Sequence, residues 1–204
     1  FHRRQNEQLA AADAYAHVLA LTDASTRNAW TLHFLRGGAL EQAGQWPQAE
    51  AALRAALALA PEEPLVLNYL GYALLDRDLN LDEAEQLIRK AAARAPGSAA
   101  ITDSLGWLLF KRGRVEEAVP VLERALRGAP GDHTINEHVG DAYWAVGRRI
   151  EARHRWEAAR LAGPDAVTQA RLAAKLAGDP DAMPALASTG TRATPAPPSA
   201  PPRP

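Results

Sequence analysis

The sequence predicts an all-α solenoid of stacked helical hairpins, and three observations carry that reading. Landmarks recur 34 residues apart: Leu105 and Val139, Gly106 and Gly140, Gly113 and Gly147, Ala118 and Ala152, Ala125 and Ala159, Pro130 and Pro164. A fixed period of that length is the mark of a helical repeat array. Each unit also carries apolar positions at helical spacing, a Gly-containing break in its middle and a Pro at its end that forbids continuation. Finally, no stretch shows a strand pattern.

The first element is a helix over about Asn6 to Leu21, which with its loop occupies 1–27. It reads as the second helix of a hairpin whose first helix is missing, with Leu9, Tyr15 and Leu19 in need of an apolar partner. Terminal repeats of such arrays present a polar outer face, and the chain begins at Phe1 rather than Met. The expectation is therefore a natural protein that extends further N-terminally, with this helix offering a route to homo-oligomers. Four units follow, over 28–62, 63–97, 98–131 and 132–163. The first is the most divergent, carrying Gly37, Leu40, Gly44, Ala49, Leu53, Ala56 and Pro61. The second carries Leu70, Gly71, Ala84, Ala91 and Pro96, and its first helix lies 35 rather than 34 residues before the next one, which places a one-residue insertion around Asp78 to Leu81. A capping helix is expected within 164–178. The Pro- and Ala-rich tail over 179–204, most biased from Ser188, is expected to stay disordered because it cannot bury enough apolar surface to fold.

A Gly on the first helix facing an Ala on the second lets two helix axes approach to about 8–10 Å. Gly71, Gly106 and Gly140, with Ala84, Ala118 and Ala152, satisfy that need, and their spacing resembles the tetratricopeptide repeat: a small residue at repeat position 8, Gly at 15, Ala at 20 and 27, Pro at 32. The resemblance implies that first helices line a concave face, with the groove at repeat positions 2, 5, 9, 12 and 13. Carried onto this chain, the partner-binding candidates are Asn68, Tyr72, Leu75 and Asp76 in the second unit. The third unit supplies Asp103, Trp107, Phe110 and Lys111, and the fourth Glu137, Asp141 and Trp144. Tyr72, Trp107, Phe110 and Trp144 form an aromatic strip beside four carboxylates, the composition of an interface hot spot. A peptide with apolar and basic groups, extended or helical, would complement it. The alternative, that these aromatics pack between adjacent repeats, stays open.

Composition narrows the function classes. A formal net charge of −1 and a pI near 6.7 provide no basic field for nucleic acid or an anionic membrane. There is no cysteine, hence no disulfide or thiolate site. No run approaches the roughly 18 apolar residues of a membrane span. His133 and His138 are five apart, which does not align them as a metal-binding i, i+4 pair. The arginine cluster Arg148, Arg149, Arg153, Arg155 and Arg160 is interleaved with Glu151 and Glu157 and reads as a solvated, ion-paired face. The pairs Asp82-Glu83 and Glu116-Glu117 open second helices, where the helix dipole accounts for them without catalysis. No catalytic residue, metal or cofactor is nominated.

The runs Asn68–Tyr72 (NYLGY), Asp103–Trp107 (DSLGW) and Ile135–Trp144 (INEHVGDAYW), followed by Gly147-Arg-Arg and Glu151-Ala-Arg, are similar to the C-terminal repeats of large proteobacterial tetratricopeptide proteins. One group of these comprises outer-membrane lipoproteins that act as adaptors for a periplasmic carboxyl-terminal processing protease. Heavy Ala use, with 20 of the 23 basic residues Arg, also fits a GC-rich bacterial genome. The resemblance implies a non-catalytic scaffold or adaptor at the periplasm or outer membrane, with a protease and its substrates as partners. The competing readings are a cytoplasmic assembly scaffold within a larger protein and, third, an enzyme domain.

Overall fold

The structure, a computed structural model, describes residues 2–21 and 28–183. A helix α1 (His2–Leu21) precedes four hairpins: α2 (Ala29–Gln42) with α3 (Trp46–Leu59), α4 (Pro64–Asp76) with α5 (Leu81–Arg94), α6 (Ala99–Lys111) with α7 (Val115–Gly128), and α8 (His133–Ala145) with α9 (Arg149–Leu161). A last helix, α10 (Ala166–Ala177), closes the array. Among the described residues there is no strand, so the chain is an all-helical solenoid of the expected class.

Local chemistry sets the helix ends. Ser98, Asp132 and Asp165 cap α6, α8 and α10 by accepting hydrogen bonds from backbone N–H groups two or three residues on, as at Thr134 (2.8 Å) and Ile135 (3.0 Å) for Asp132. Helices α5 and α7 open on Asp82-Glu83 and Glu116-Glu117 and carry Arg94 and Arg127 in their last turns, matching the helix dipole at both ends. Within hairpins, the turns of the first, third and fourth units use a left-handed glycine, for example Gly113 at φ 74°. The second unit instead places Asp78 and Asn80 at positive φ in a link, 77–80, one residue longer than the corresponding 112–114.

The two helices of each hairpin meet through one repeated contact. Leu53, Ile88, Leu122 and Trp156, each fully buried, face Gly37, Gly71, Gly106 and Gly140 respectively. A Cβ on Gly106 would lie 2.6 Å from Leu122 Cγ, closer than real Cβ atoms sit, and a tight 3.2 Å from its backbone N. Buried Ala84, Ala118 and Ala152 keep the opposing helix equally slim. The largest core group runs from Leu109 through Trp156 to Leu172, so α10 is packed into the array rather than laid on it.

Two terminal features depart from expectation. Helix α1 begins at His2, several residues before Asn6, and Leu9 and Tyr15 find their apolar partners in Ala39, Leu40, Ala49 and Ala52 of the first hairpin. Gln5 Nε2 also donates to Ala43 O at 2.9 Å. The stretch expected to be disordered from residue 179 instead starts with a 3₁₀ turn (Pro180–Ala182), in which Asp181 N donates to Asp179 Oδ1. Met183 packs on the main core group, which supplies the apolar burial that the composition of the tail lacks. The loop at 22–27 and the tail from 184 onward lie outside the described residues.

Replacing Gly106 by Leu should overpack this seam and lower stability by about 1–3 kcal/mol, a fall of roughly 2–12 °C in melting temperature for a chain of this size. Calorimetry showing an unchanged transition would mean that the crossing lies elsewhere.

Candidate functional site

The first helices of the last three hairpins, together with α10, wall a trough. A cavity of about 330 Å³ lies between α4, α6 and the start of α8, lined by Asn68, Tyr69, Tyr72, Asp103, Ser104 and Thr134 among others. A second, of about 380 Å³, is lined by Tyr72, Asp76, Trp107, Glu137, His138, Asp141, Arg171 and Lys175. Tyr72 and Thr134 wall both, so the two adjoin.

A ladder of polar contacts forms the floor. Arg171 of α10 grips Glu137 with two hydrogen bonds of 2.7 and 2.8 Å. Lys175, only 3% exposed, donates to Glu137 at 2.7 Å and to both oxygens of Asp141 at 2.8 Å. Asp141 also accepts from the indole N–H of the seam residue Trp156 at 2.9 Å. One repeat back, His138 Nδ1 donates to Asp103 Oδ2 at 2.8 Å. The ladder then stops: Asp103 Oδ1, Asn68 Oδ1 and Trp107 Nε1 are buried and have no hydrogen-bond partner among the described residues.

Aromatic rings cover this floor. Trp107 stacks on His138 (centroids 4.1 Å, planes 9° apart) and on Phe110 (4.8 Å, 7°), and Tyr72 lies 6.2 Å from His138. Burial disfavours a charged imidazole, yet Asp103, Asp141 and Glu137 outweigh it and raise the His138 pKa. Burial likewise opposes ionisation of Glu137, but Arg171 and Lys175 prevail and hold it at about 2, against an ordinary 4.5. For Asp141 burial dominates and pushes its carboxyl upward against the pull of Lys175. Burial, reinforced by Asp76, Asp103 and Glu137, raises the Tyr72 phenol, so its O–H remains available as a donor.

Asn68, Tyr72, Asp76, Asp103, Trp107, Glu137 and Asp141 thus come together along the trough, while four other candidates do not. Leu75 and Phe110 are fully buried and belong to the core rather than to the groove. Phe110 belongs to the same core group as Val115 and Leu122 of its own hairpin and Val139, Ala142 and Tyr143 of the next. Trp144 lines neither cavity; it packs on Trp156 (5.2 Å) under the Arg149 guanidinium (3.8 Å). Lys111 is tied to Asp78 at 2.6 Å. The acidic wall expected at Glu137 and Asp141 is also corrected, because both are buried and neutralised by α10. In the arginine cluster, Arg148 pairs with Glu123 and Glu151, Arg160 with Glu157, and Arg155 donates to Asn136.

Sequence reasoning missed His138, Arg171 and Lys175 as members of the site. The signal was the period itself: Arg171 lies 34 residues after Glu137, and Lys175 34 after Asp141.

The depressed pKa of Glu137 has a signed consequence. Its contribution, about 3 kcal/mol for a shift of this size, is fully present above pH 4.5 and disappears as pH falls toward 2. The stability gap between the natural chain and Glu137→Gln, measured by urea unfolding, should therefore close over that window. Lys175→Met should cost about 3–5 kcal/mol by stranding buried carboxylates, and adding Asp141→Leu should recover part of that loss.

Comparison with known proteins agrees with this architecture. The tetratricopeptide repeat signature matches residues 2–64, 34–99 and 77–133. A TPR repeat-containing protein of Pseudomonas aeruginosa is 35% identical over 110 residues, which is 54% of this chain but 18% of that relative, so the chain spans under a fifth of its length. A thermophilic TPR protein of Thermus thermophilus superposes with a TM-score of 0.63 at 20% identity, covering 72% of this chain and 82% of that one. YrrB, described as a TPR protein with an unusual peptide-binding site, superposes with a TM-score of 0.56 at 20% identity, covering 83% of this chain and 84% of that one. With the signature spanning well over half of its length and the same hairpins in its fold, this chain belongs to the tetratricopeptide repeat family.

Proposed function

We propose that this chain is a non-catalytic adaptor or scaffold that holds a peptide or protein partner in its concave trough. The observation that carries the reading is the trough walled by Tyr72 and Trp107, whose floor retains buried hydrogen-bonding atoms that no described residue satisfies. Rigid aromatics beside polar groups suit a binding surface, since they offer contact area at low entropic cost.

Glu137, Asp141, Arg171 and Lys175 in the trough are committed to one another, which supports a non-catalytic role. Asp103 and His138 form two-thirds of a nucleophilic triad, but the neighbouring Ser104 hydroxyl donates to Ala100 O at 3.0 Å rather than to the imidazole. Glu137 and Asp141 are held by α10.

In its most specific form the proposal is an adaptor that presents substrates to a carboxyl-terminal processing protease in the periplasm or at the outer membrane of a Gram-negative bacterium. That form is supported by the likeness of residues 28–163 to such adaptors. It is tested by adding the chain to the purified protease and a cell-wall hydrolase substrate. Faster cleavage supports it, and an unchanged rate with no binding to either protein rejects it in favour of a scaffold elsewhere.

For the trough itself, partners captured from the source organism and identified by mass spectrometry should bind the purified chain. Tyr72→Ala/Trp107→Ala should weaken that binding at least about tenfold, whereas Trp144→Ala should leave it unchanged. A folded double variant with full affinity would move the binding surface off the trough.

A further inference from the structure

The trough is not chemically uniform along its length, and the difference identifies what one end of it receives. At the α10 end every buried acid meets a cation. Glu137 has Arg171 and Lys175, and Asp141 has Lys175. At the α4 end the polarity is unmatched. Three acids, Glu41, Asp103 and Asp132, contribute to the lining of the 330 Å³ cavity, and among the described residues no Lys, Arg or His does.

Two of these acids are already occupied. Glu41 receives Arg77 and the Tyr69 hydroxyl, each at 2.8 Å, and Asp132 caps α8. Asp103 is different. It is 4% exposed and spends one oxygen on His138, while Oδ1 meets no donor among the described residues. Asn68, one repeat earlier on the same face, lines the same cavity, and its own Oδ1 is buried and without a hydrogen-bond partner among the described residues. A buried acceptor without a donor costs about 1–3 kcal/mol, and more when charged. A ligand that brings N–H groups and positive charge recovers that cost, whereas a carboxylate or phosphate would add to it.

We propose, building on the peptide-binding reading above, that this cavity is a subsite for a basic side chain of the bound partner, with Asn68 Oδ1 and Asp103 Oδ1 as its acceptors and the Tyr72 ring beside them. The subsite accepts arginine or lysine. It lies within the described part of the chain and needs no movement of the α10 ladder, because the two cavities share walls but not the ion pairs of Arg171 and Lys175.

The test is selection of a random library of short peptides on the immobilised chain, followed by titration of the best binder and of its synthetic analogues. Retained sequences should be enriched in Arg or Lys at one register. Replacing that residue by norleucine should weaken binding at least about tenfold, with citrulline intermediate because it keeps donors and loses charge. On the protein side, Asn68→Leu should lose discrimination between the basic and norleucine peptides. Asp103→Asn is a second variant with the same expectation, and Asn68→Leu stands alone if the other fails to fold. Retained peptides that show no basic enrichment, or a norleucine analogue that binds equally well, would overturn the subsite and leave the groove intact. Retention of no peptide at all would remove the groove reading and the subsite with it.

Discussion

Close approach of two helices through a glycine is the constraint on which the rest of this molecule depends. Gly37, Gly71, Gly106 and Gly140 each accept one fully buried large side chain from the second helix of the same hairpin. At that distance a Cβ has no room, so the contact selects glycine by sterics alone. Because every hairpin repeats it, every first helix emerges at a similar height and angle, and a continuous inner wall results. The fourth seam shows how the constraint reaches the site. Trp156 takes the place that leucine or isoleucine takes elsewhere, and its indole N–H extends to Asp141 at the trough floor.

The polar ladder is the second consequence of regular stacking. Residues one repeat apart stand side by side on the inner wall, so Arg171 meets Glu137 and Lys175 meets Asp141 because 34 residues separate each pair. Compared with an apolar pair of similar volume such buried pairs add little net stability, since desolvation of both charges offsets most of their attraction, although removing one partner is costly. Their effect here is positional. A Lys175 ammonium surrounded by two carboxylates and lying 5.8 Å from the Trp156 ring admits one seating of α10 against α8.

The seams were legible in the sequence because they are local and steric: Gly106 and Gly140, Ala118 and Ala152, and the terminal prolines leave their identity at a fixed spacing. The groove was legible in register but not in depth. Position 12 of the repeat lies seven residues from position 5, so helical phase places Leu75 and Phe110 within about 20° of Asn68 and Asp103. What separates them is height along the helix, where the next hairpin closes over Phe110, and a one-dimensional pattern does not carry that information. The same limit hid α10. Read as a cap it needed only an apolar stripe, yet its Arg171 and Lys175 continue the inner wall as the first helix of a fifth unit would.

Polarity along the inner wall therefore has a direction. From α10 toward α4, position 5 of the repeat reads Arg171, Glu137, Asp103 and Asn68, and position 9 reads Lys175, Asp141, Trp107 and Tyr72. Cations answer acids first, then an imidazole answers one oxygen of Asp103, and then no described donor answers Asn68 Oδ1. A stack that matched every rung would have a floor with no bond left to offer, and one that matched none would bear the desolvation cost of several buried charges. This array does both in sequence: it commits one end of the trough to holding α10 and leaves the other end with buried acceptors that no described donor meets. Binding capacity and structural closure are thus properties of the same row of side chains, divided by where the supply of internal cations stops.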